Sequence, residues 1–276
     1  MNRPRGRLAT LARTAAAALA TAAVLTLLTD CASTGVNRGD VNLVSLEEEW
    51  QLGQQLERDL AGRLRLVNNR ALTGYVSQMG QKIARQTELA ELPWEFHVVA
   101  DPEVNAFNIP GGHVYVNTGL IATTDNASEL AAVMAHEIAH GVSRHGTEQL
   151  TRGYGLNLLA GVLLGEDPAT YERILAQLAG AGTIARFSRD AETEADDLGY
   201  AYMVRAGYHP RGMQTIFEEL LSRRRSSPGA VQEFFATHPL TEDRIDRVRR
   251  RIAQQPPGSG LRVNESGFAQ AQRAAR

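Results

Sequence analysis

The chain has 276 residues, of which 43% are hydrophobic and 22% are charged, and its formal net charge at pH 7 is -2. This length and composition support one domain with a substantial hydrophobic core. Because there is no basic excess, we expect no nucleic-acid partner.

The first 30 residues have the layout of a secretory signal peptide. Arg3, Arg5 and Arg7 precede an apolar run from Ala15 to Leu28, which is short for a membrane span. We therefore expect residues 1–30 to direct export to the periplasm and then to be removed. An uncleaved anchor that starts at Leu8 is the alternative.

Cys31 is the only cysteine, so no internal disulfide can form. With Leu28 and Thr29 before it, Cys31 resembles the lipidated first residue of a bacterial lipoprotein, although Asp30 departs from the small residue usual at that position. Ordinary signal cleavage is the alternative. We expect membrane contact only through this lipid, on the outer membrane, with residues 31–44 as a flexible tether.

Two packing helices and a small sheet are predicted to follow. Ser45 and Glu48 form a capping-box pattern at the start of the first helix, and the second runs from about residue 70 to 87. Residues 94–100 and 113–117 have strand patterns on either side of a turn-rich segment, so we predict a small antiparallel sheet.

An exposed edge of this sheet could bind an extended peptide. The residues assigned to this edge are Gly112, His113, Val114 and Tyr115. A hairpin that only covers the core is the alternative.

The most informative motif is H-E-x-x-H from His136 to His140. On a helix, residues four apart lie one turn apart on one face, so His136 and His140 can hold one metal ion. Glu137 is turned away from direct ligation but can reach a water beside the metal, as a general base must. Two histidines that only form hydrogen bonds are the alternative.

A third ligand is predicted on a helix that spans about residues 188–206. Glu192 shares an arc with small and apolar residues, whereas Glu194 lies on the opposite side of the helix. Glu192 is therefore the better ligand. Asp196, one turn later, can accept a hydrogen bond from a ligand imidazole. The alternative places both acids on a solvated face.

Together these motifs resemble the gluzincin metalloproteases of the HtpX and CAAX prenyl protease type, especially their soluble bacterial envelope members. The resemblance covers about residues 44–253 and includes Asn105-Ala106-Phe107, the H-E-x-x-H motif and the segment from Ser188 to Asp196. It implies a mainly helical α+β zincin-type domain at residues 45–255. It also implies one zinc ion per chain, held by His136, His140 and Glu192, with Glu137 as the catalytic base.

Thr237-His238-Pro239-Leu240 with Arg244 also looks like a family motif. It implies that His238 and Arg244 lie near the cleft, where His238 could stabilise the oxyanion or occupy the open metal position in a resting form. A turn that only opens the last helix is the alternative. We expect no ligation by His97, His209 or His145, because His145 would project away from His136 on a continuous helix.

Family members often carry membrane helices or a helical repeat domain, and neither is predicted here. Residues 256–276 are expected to be a disordered tail. The sequence thus predicts a zinc endopeptidase of the bacterial cell envelope that hydrolyses unfolded or misassembled proteins. A non-proteolytic metal-containing chaperone and a structural metal domain closed by His238 are the rival hypotheses.

Overall fold

The computed structural model describes residues 44–155, 161–181, 186–254 and 258–276. The predicted signal peptide, Cys31, nearly all of the predicted tether and part of the helix expected between Tyr154 and Leu164 lie outside these ranges. Within the ranges, no helix is both long enough and apolar enough to cross a membrane.

The predicted α+β class, mainly helical with a small sheet beside the H-E-x-x-H helix, is confirmed. One sheet contains β1 (Glu95–Val99), β2 (Ala106–Ile109) and β3 (His113–Asn117) in the order β1-β3-β2. The helices are, in chain order, α1 (Leu46–Ala61), α2 (Arg70–Ala84), α3 (Thr118–Thr123), α4 (Ala127–Val142), α5 (His145–Tyr154), α6 (Pro168–Ala181), α7 (Arg189–Arg205), α8 (Arg211–Ser226), α9 (Gln232–Thr237), α10 (Glu242–Gln254) and α11 (Phe268–Ala275).

The start of α1 has the predicted capping box. The Ser45 side chain accepts a hydrogen bond from the Glu48 backbone N–H, and the Glu48 carboxylate accepts one from the Ser45 N–H. This satisfies two backbone donors that an α-helix leaves unpaired at its start. The apolar face of α1 is buried at Leu52, Leu56 and Leu60.

The strand pairing differs from the predicted antiparallel hairpin. β1 pairs with β3 in parallel, and the antiparallel partner of β3 is β2, which lies inside the segment predicted to be a turn. Gly111 and Gly112 form the tight β2–β3 turn with φ of +86° and +81°, values that favour glycine. β2 has only four residues and lies between turn-forming residues, so its sequence is too short to show a strand pattern. β3 is consequently central, and the expectation of an exposed edge along Gly112–Tyr115 is wrong.

The sheet separates two groups of buried apolar side chains. Val114 and Val116 of β3 pack in the larger cluster, which also contains the apolar residues of α4. Tyr115 of β3 and Phe107 of β2 point to the opposite face, where they join the smaller cluster with α1 and α6. Because strand side chains alternate between faces, α4 and α1 lie on opposite sides of the sheet.

The prediction of a disordered tail is wrong for residues 258–276. Phe268 and Ala271 of α11 are buried, and α11 packs against α2 and α3. The backbone of Arg262 exchanges hydrogen bonds with that of Gly207 and His209, at 2.9 and 2.8 Å. The partners of this segment lie far away in sequence, so local composition does not reveal them. Residues 255–257 are outside the described ranges.

Candidate metal centre

Helix α4 places both histidines of the H-E-x-x-H motif in the interior. Its N-cap is Asn126, whose side chain accepts a hydrogen bond from the Glu129 backbone N–H. Helix α7 crosses α4 closely at Gly199, where a β-carbon would lie 3.0 Å from the backbone nitrogen of His136. The lack of a side chain at Gly199 therefore allows the acidic residues of α7 to reach the histidines.

Four side chains from three parts of the chain converge at this crossing: His136, His140, Glu192 and His238, all of them buried. His136 Nε2 lies 3.1 Å from His140 Nε2 and 3.4 Å from His238 Nδ1. Glu192 Oε1 lies 3.4 Å from His140 Nε2 and 2.9 Å from His238 Nδ1. One atom of each side chain thus faces a common point.

This donor set fits a zinc ion. Zinc bonds of about 2.0–2.1 Å to nitrogen and oxygen put tetrahedral ligand atoms about 3.4 Å apart, and the distances here are close to that spacing. Two buried imidazole nitrogens 3.1 Å apart can share only one proton, and Glu192 Oε1 faces the same point as these nitrogens. A cation between these atoms would satisfy their lone pairs.

Two further residues lie behind the ligand set. His136 Nδ1 is 3.1 Å from Asp196 Oδ1. Arg244 bridges Asp196 and Glu192, with its Nη1 2.5 Å from Glu192 Oε2. Burial alone raises the pKa of Asp196, but Arg244 and His136 hold that pKa below its usual value. Both acids therefore stay ionised and can support a cation.

The Glu137 carboxylate is buried beside the ligands. Neither of its oxygens has a hydrogen-bond partner among the described residues, and Oε1 lies 3.5 Å from His238 Nε2. Burial raises the pKa of Glu137, while the nearby His238 and His136 oppose this rise. The Asn108 side chain of β2 donates a 2.7 Å hydrogen bond to the Glu137 carbonyl. A carboxylate in this position, beside the four converging side chains, is available to accept a proton.

His238 Nδ1 is the fourth atom that faces this point. It follows α9, and its backbone N–H donates a 2.8 Å hydrogen bond to the Phe234 carbonyl. The preceding residue, Thr237, accepts a 3.1 Å hydrogen bond from the Phe187 backbone N–H. The sequence left two roles open for this histidine near the cleft, and the structure places it against the side chains of His136 and Glu192.

His145 also approaches the site, contrary to the sequence prediction. Helix α4 ends at Val142 and Arg144 adopts a left-handed φ of 58°, so α5 starts in a new direction. His145 Nδ1 lies 2.8 Å from His140 Nδ1, and its Nε2 lies 3.3 Å from Glu194 Oε2. His145 thus contacts His140 and links Glu194, which the helical wheel predicts on the opposite side of α7, to the site. The left-handed residue gives no recognisable signal in the sequence.

The residues predicted to bind substrate do not lie at a free edge. His113 and Tyr115 are buried on the α1 side of the sheet, away from Glu137, and Gly112 packs against Trp50. Of the histidines given no ligand role, His209 accepts a 3.1 Å hydrogen bond from the Arg211 backbone N–H. His97 packs against His113 on the same side of the sheet.

Comparison with known proteins agrees with this geometry. Peptidase family M48 matches residues 70–252, which include all four converging side chains. The beta-barrel assembly-enhancing protease of Escherichia coli (strain K12) is 34% identical over 225 residues, 78% of this chain and 46% of that protein. The mitochondrial metalloendopeptidase OMA1 of Schizosaccharomyces pombe is 32% identical over 222 residues, 79% of this chain and 65% of that protein. The chain thus spans only about half to two thirds of these relatives.

Proposed function

The chain belongs to peptidase family M48, and we propose that it is a zinc metalloendopeptidase that cleaves unfolded or misassembled proteins of the bacterial cell envelope. The observation that carries this proposal is the buried Glu137 carboxylate beside the convergent ligand atoms of His136, His140 and Glu192. We assign zinc ligation, one ion per chain, to these three residues and the role of general base to Glu137.

Each side chain then has a defined part in peptide hydrolysis. When bound, zinc supplies a Lewis acid that polarises a carbonyl oxygen and makes water nucleophilic near neutral pH. Glu137 takes the proton that the attacking water loses and passes it to the leaving amine. Asp196 and Arg244 keep His136 and Glu192 in place, so the ligands need not rearrange during the reaction.

We propose that the substrate binds as an extended strand along β2. β2 forms one edge of the sheet, and its Asn108 side chain already bonds to the backbone of Glu137. Strand addition at a sheet edge uses main-chain hydrogen bonds and accepts many sequences, which suits unfolded clients. Because the side chains of β2 are buried, a covering segment has to move before the edge can receive a peptide.

We propose further that this arrangement is a latent form of the enzyme. In this form His238 would fill the position that a substrate carbonyl needs, and it lies on the segment between α9 and α10. The rival hypothesis of a structural metal domain also uses a four-ligand site. It gives no role, however, to a carboxylate buried beside the metal without a hydrogen-bond partner among the described residues.

The name of the Escherichia coli relative refers to β-barrel assembly, and that of the yeast relative refers to the mitochondrion. We favour the periplasm, with a lipid tether at Cys31 to the outer membrane, because residues 1–30 resemble a bacterial signal peptide.

The decisive experiment measures cleavage of an unfolded β-barrel membrane protein, and of the same protein folded in detergent, by the zinc-loaded chain. We expect the unfolded form to be cut and Glu137→Gln to lose about 10²–10⁴-fold in rate with zinc retained. Glu91→Gln, at an exposed position, is the matched control. His238→Ala should cut faster than wild type.

Equal cleavage of folded and unfolded forms would overturn the proposed substrate class. Full activity of Glu137→Gln would overturn the mechanism. Binding of the unfolded protein without cleavage, in wild type and in His238→Ala, would instead support the chaperone.

A further inference from the structure

The α1 side of the sheet carries a second group of metal-ligating side chains, Glu95, His97 and His113. Glu95 and His113 are register partners on the adjacent parallel strands β1 and β3, and His97 lies two residues after Glu95 on the same face of β1. One ligand atom of each residue lies within 4.8 Å of the other two. Regular strand geometry therefore brings this group together.

His113 is buried without the hydrogen bonds that a buried imidazole needs. Only 2% of the residue is exposed, yet neither ring nitrogen has a hydrogen-bond partner in the described parts of the chain. The same holds for Nε2 of His97. A buried polar group left unpaired destabilises the folded chain, so three such nitrogens in one place indicate a ligand.

The two rings are held rigidly by their neighbours. His113 stacks on Trp50 of α1 at a centroid distance of 6.1 Å and on His97 at 5.9 Å. His97 also stacks on Tyr115 at 4.7 Å. Their nitrogens are consequently fixed before any ligand arrives, which lowers the entropic cost of binding.

The charges around the group favour a cation. Burial, with a smaller effect from His97, lowers the pKa of His113 to about 4, and burial also lowers the pKa of His97 against the opposing effect of Glu57 and Glu95. Both imidazoles are therefore neutral near pH 7 and offer lone pairs. The carboxylates of Glu57 and Glu95 supply negative charge.

We propose that Glu95, His97 and His113 form a second metal site, separate from the one on α4, that binds a divalent transition-metal cation such as Zn²⁺. Two imidazoles and a carboxylate suit zinc better than calcium or magnesium, which prefer oxygen ligands. Glu95 Oε2 lies 3.8 Å from His97 Nε2 and 3.9 Å from His113 Nδ1, a few tenths of an ångström more than about 3.4 Å for bound zinc. The side chain of Glu95 is 56% exposed and can rotate to close this gap. The bound cation would join β1 to β3.

The test counts zinc in the full chain after dialysis against a zinc buffer. We expect about two zinc ions per chain in wild type and about one in Glu95→Gln and in His97→Ala. Glu95→Gln changes an exposed side chain and should fold normally, so loss of one ion there cannot be ascribed to misfolding. Glu91→Gln and His209→Ala remove the same residue types elsewhere and should keep both ions.

Histidine ring NMR during a zinc titration identifies the ligands directly. The second equivalent of Zn²⁺ should shift the ring signals of His97 and His113 and leave those of His209 unchanged. Zinc in wild type that Glu95→Gln and His97→Ala both retain in full, whether one ion per chain or two, would overturn the proposal. Neither measurement uses proteolysis, so the result does not depend on the proposed function.

Discussion

The guanidinium of Arg244 donates two hydrogen bonds of 2.7 Å to the two carboxylate oxygens of Asp196. Both side chains are buried, and Asp196 in turn contacts the far nitrogen of His136. The pair therefore connects α10 to α7 and, through the imidazole, to the metal position on α4. A two-point contact of this kind fixes orientation as well as distance.

Arg244→Met should weaken both the fold and the metal site. The substitution leaves Asp196 and Glu192 buried without their cation, which costs about 3–5 kcal/mol in the free energy of unfolding. Zinc affinity should fall by about 10–100-fold because the ligand supports are lost. Urea unfolding of metal-free protein and zinc competition with a chelating dye measure the two effects. Arg247→Met, one turn along α10 in an exposed ion pair with Asp197, should change either quantity little.

His145 is predicted to position a ligand without binding the metal. With zinc on its Nε2, as we propose, His140 carries its proton on Nδ1 and donates a hydrogen bond to His145 Nδ1, while His145 Nε2–H donates one to Glu194. His145→Phe should lower zinc affinity by about 10–100-fold. His145→Asn places a side-chain carbonyl oxygen near the position of the lost ring nitrogen. This variant should recover most of the zinc affinity. Equal losses in both variants would show that the ring only fills space.

Gly53 should be intolerant of any side chain. A β-carbon there would lie 2.2 Å from the Pro110 carbonyl oxygen and 2.7 Å from the Gly111 α-carbon, both backbone atoms. Gly53→Ala must push α1 away from the β2–β3 turn, at a cost of about 1–3 kcal/mol. Gly74→Ala in α2 meets nothing within 4 Å and should gain about 0.5–1 kcal/mol. Urea unfolding at one fixed zinc concentration compares them, and equal stabilities would contradict this packing.

The stability of the protein should fall at alkaline pH in part through Tyr208. Burial, then the nearby Glu265, raises the pKa of this phenol, which donates a 2.9 Å hydrogen bond to Glu265. In the unfolded chain the phenol ionises near about pH 10, so its contribution is complete below that pH and is lost as the pH rises above it. Tyr208→Phe should be less stable than wild type near about pH 8 by about 1 kcal/mol, and the difference should shrink above pH 10. A constant difference would contradict the assignment.

Patterns with a helical period were the most reliable guide to this fold. The capping box of α1 and the apolar face of α2 depend on residues within one or two turns, and the structure has both. The helical wheel also placed Glu192 and Asp196 on the inward arc of α7, which is where they lie. Their chemical roles stay predictions.

Features that depend on contacts between residues far apart in the sequence cannot be predicted from local patterns. The pairing of β3 depends on which strands reach its two edges, and the direction of α5 depends on one left-handed residue, Arg144. The structured C-terminal segment depends on apolar partners in α2 and α3. In each case the deciding contact joins residues that no local window contains.

The C-terminal segment also completes the start of α4. Asn264 accepts a hydrogen bond from the Ala127 backbone N–H across 137 positions of sequence, and the Val263 carbonyl accepts one from the Ser128 N–H at 2.9 Å. During synthesis, the helix that carries the H-E-x-x-H motif therefore emerges long before the residues that cap it. Arg244 is likewise translated more than a hundred residues after His136. The start of α4 and the group of side chains around it are thus complete only after elongation has passed residue 264.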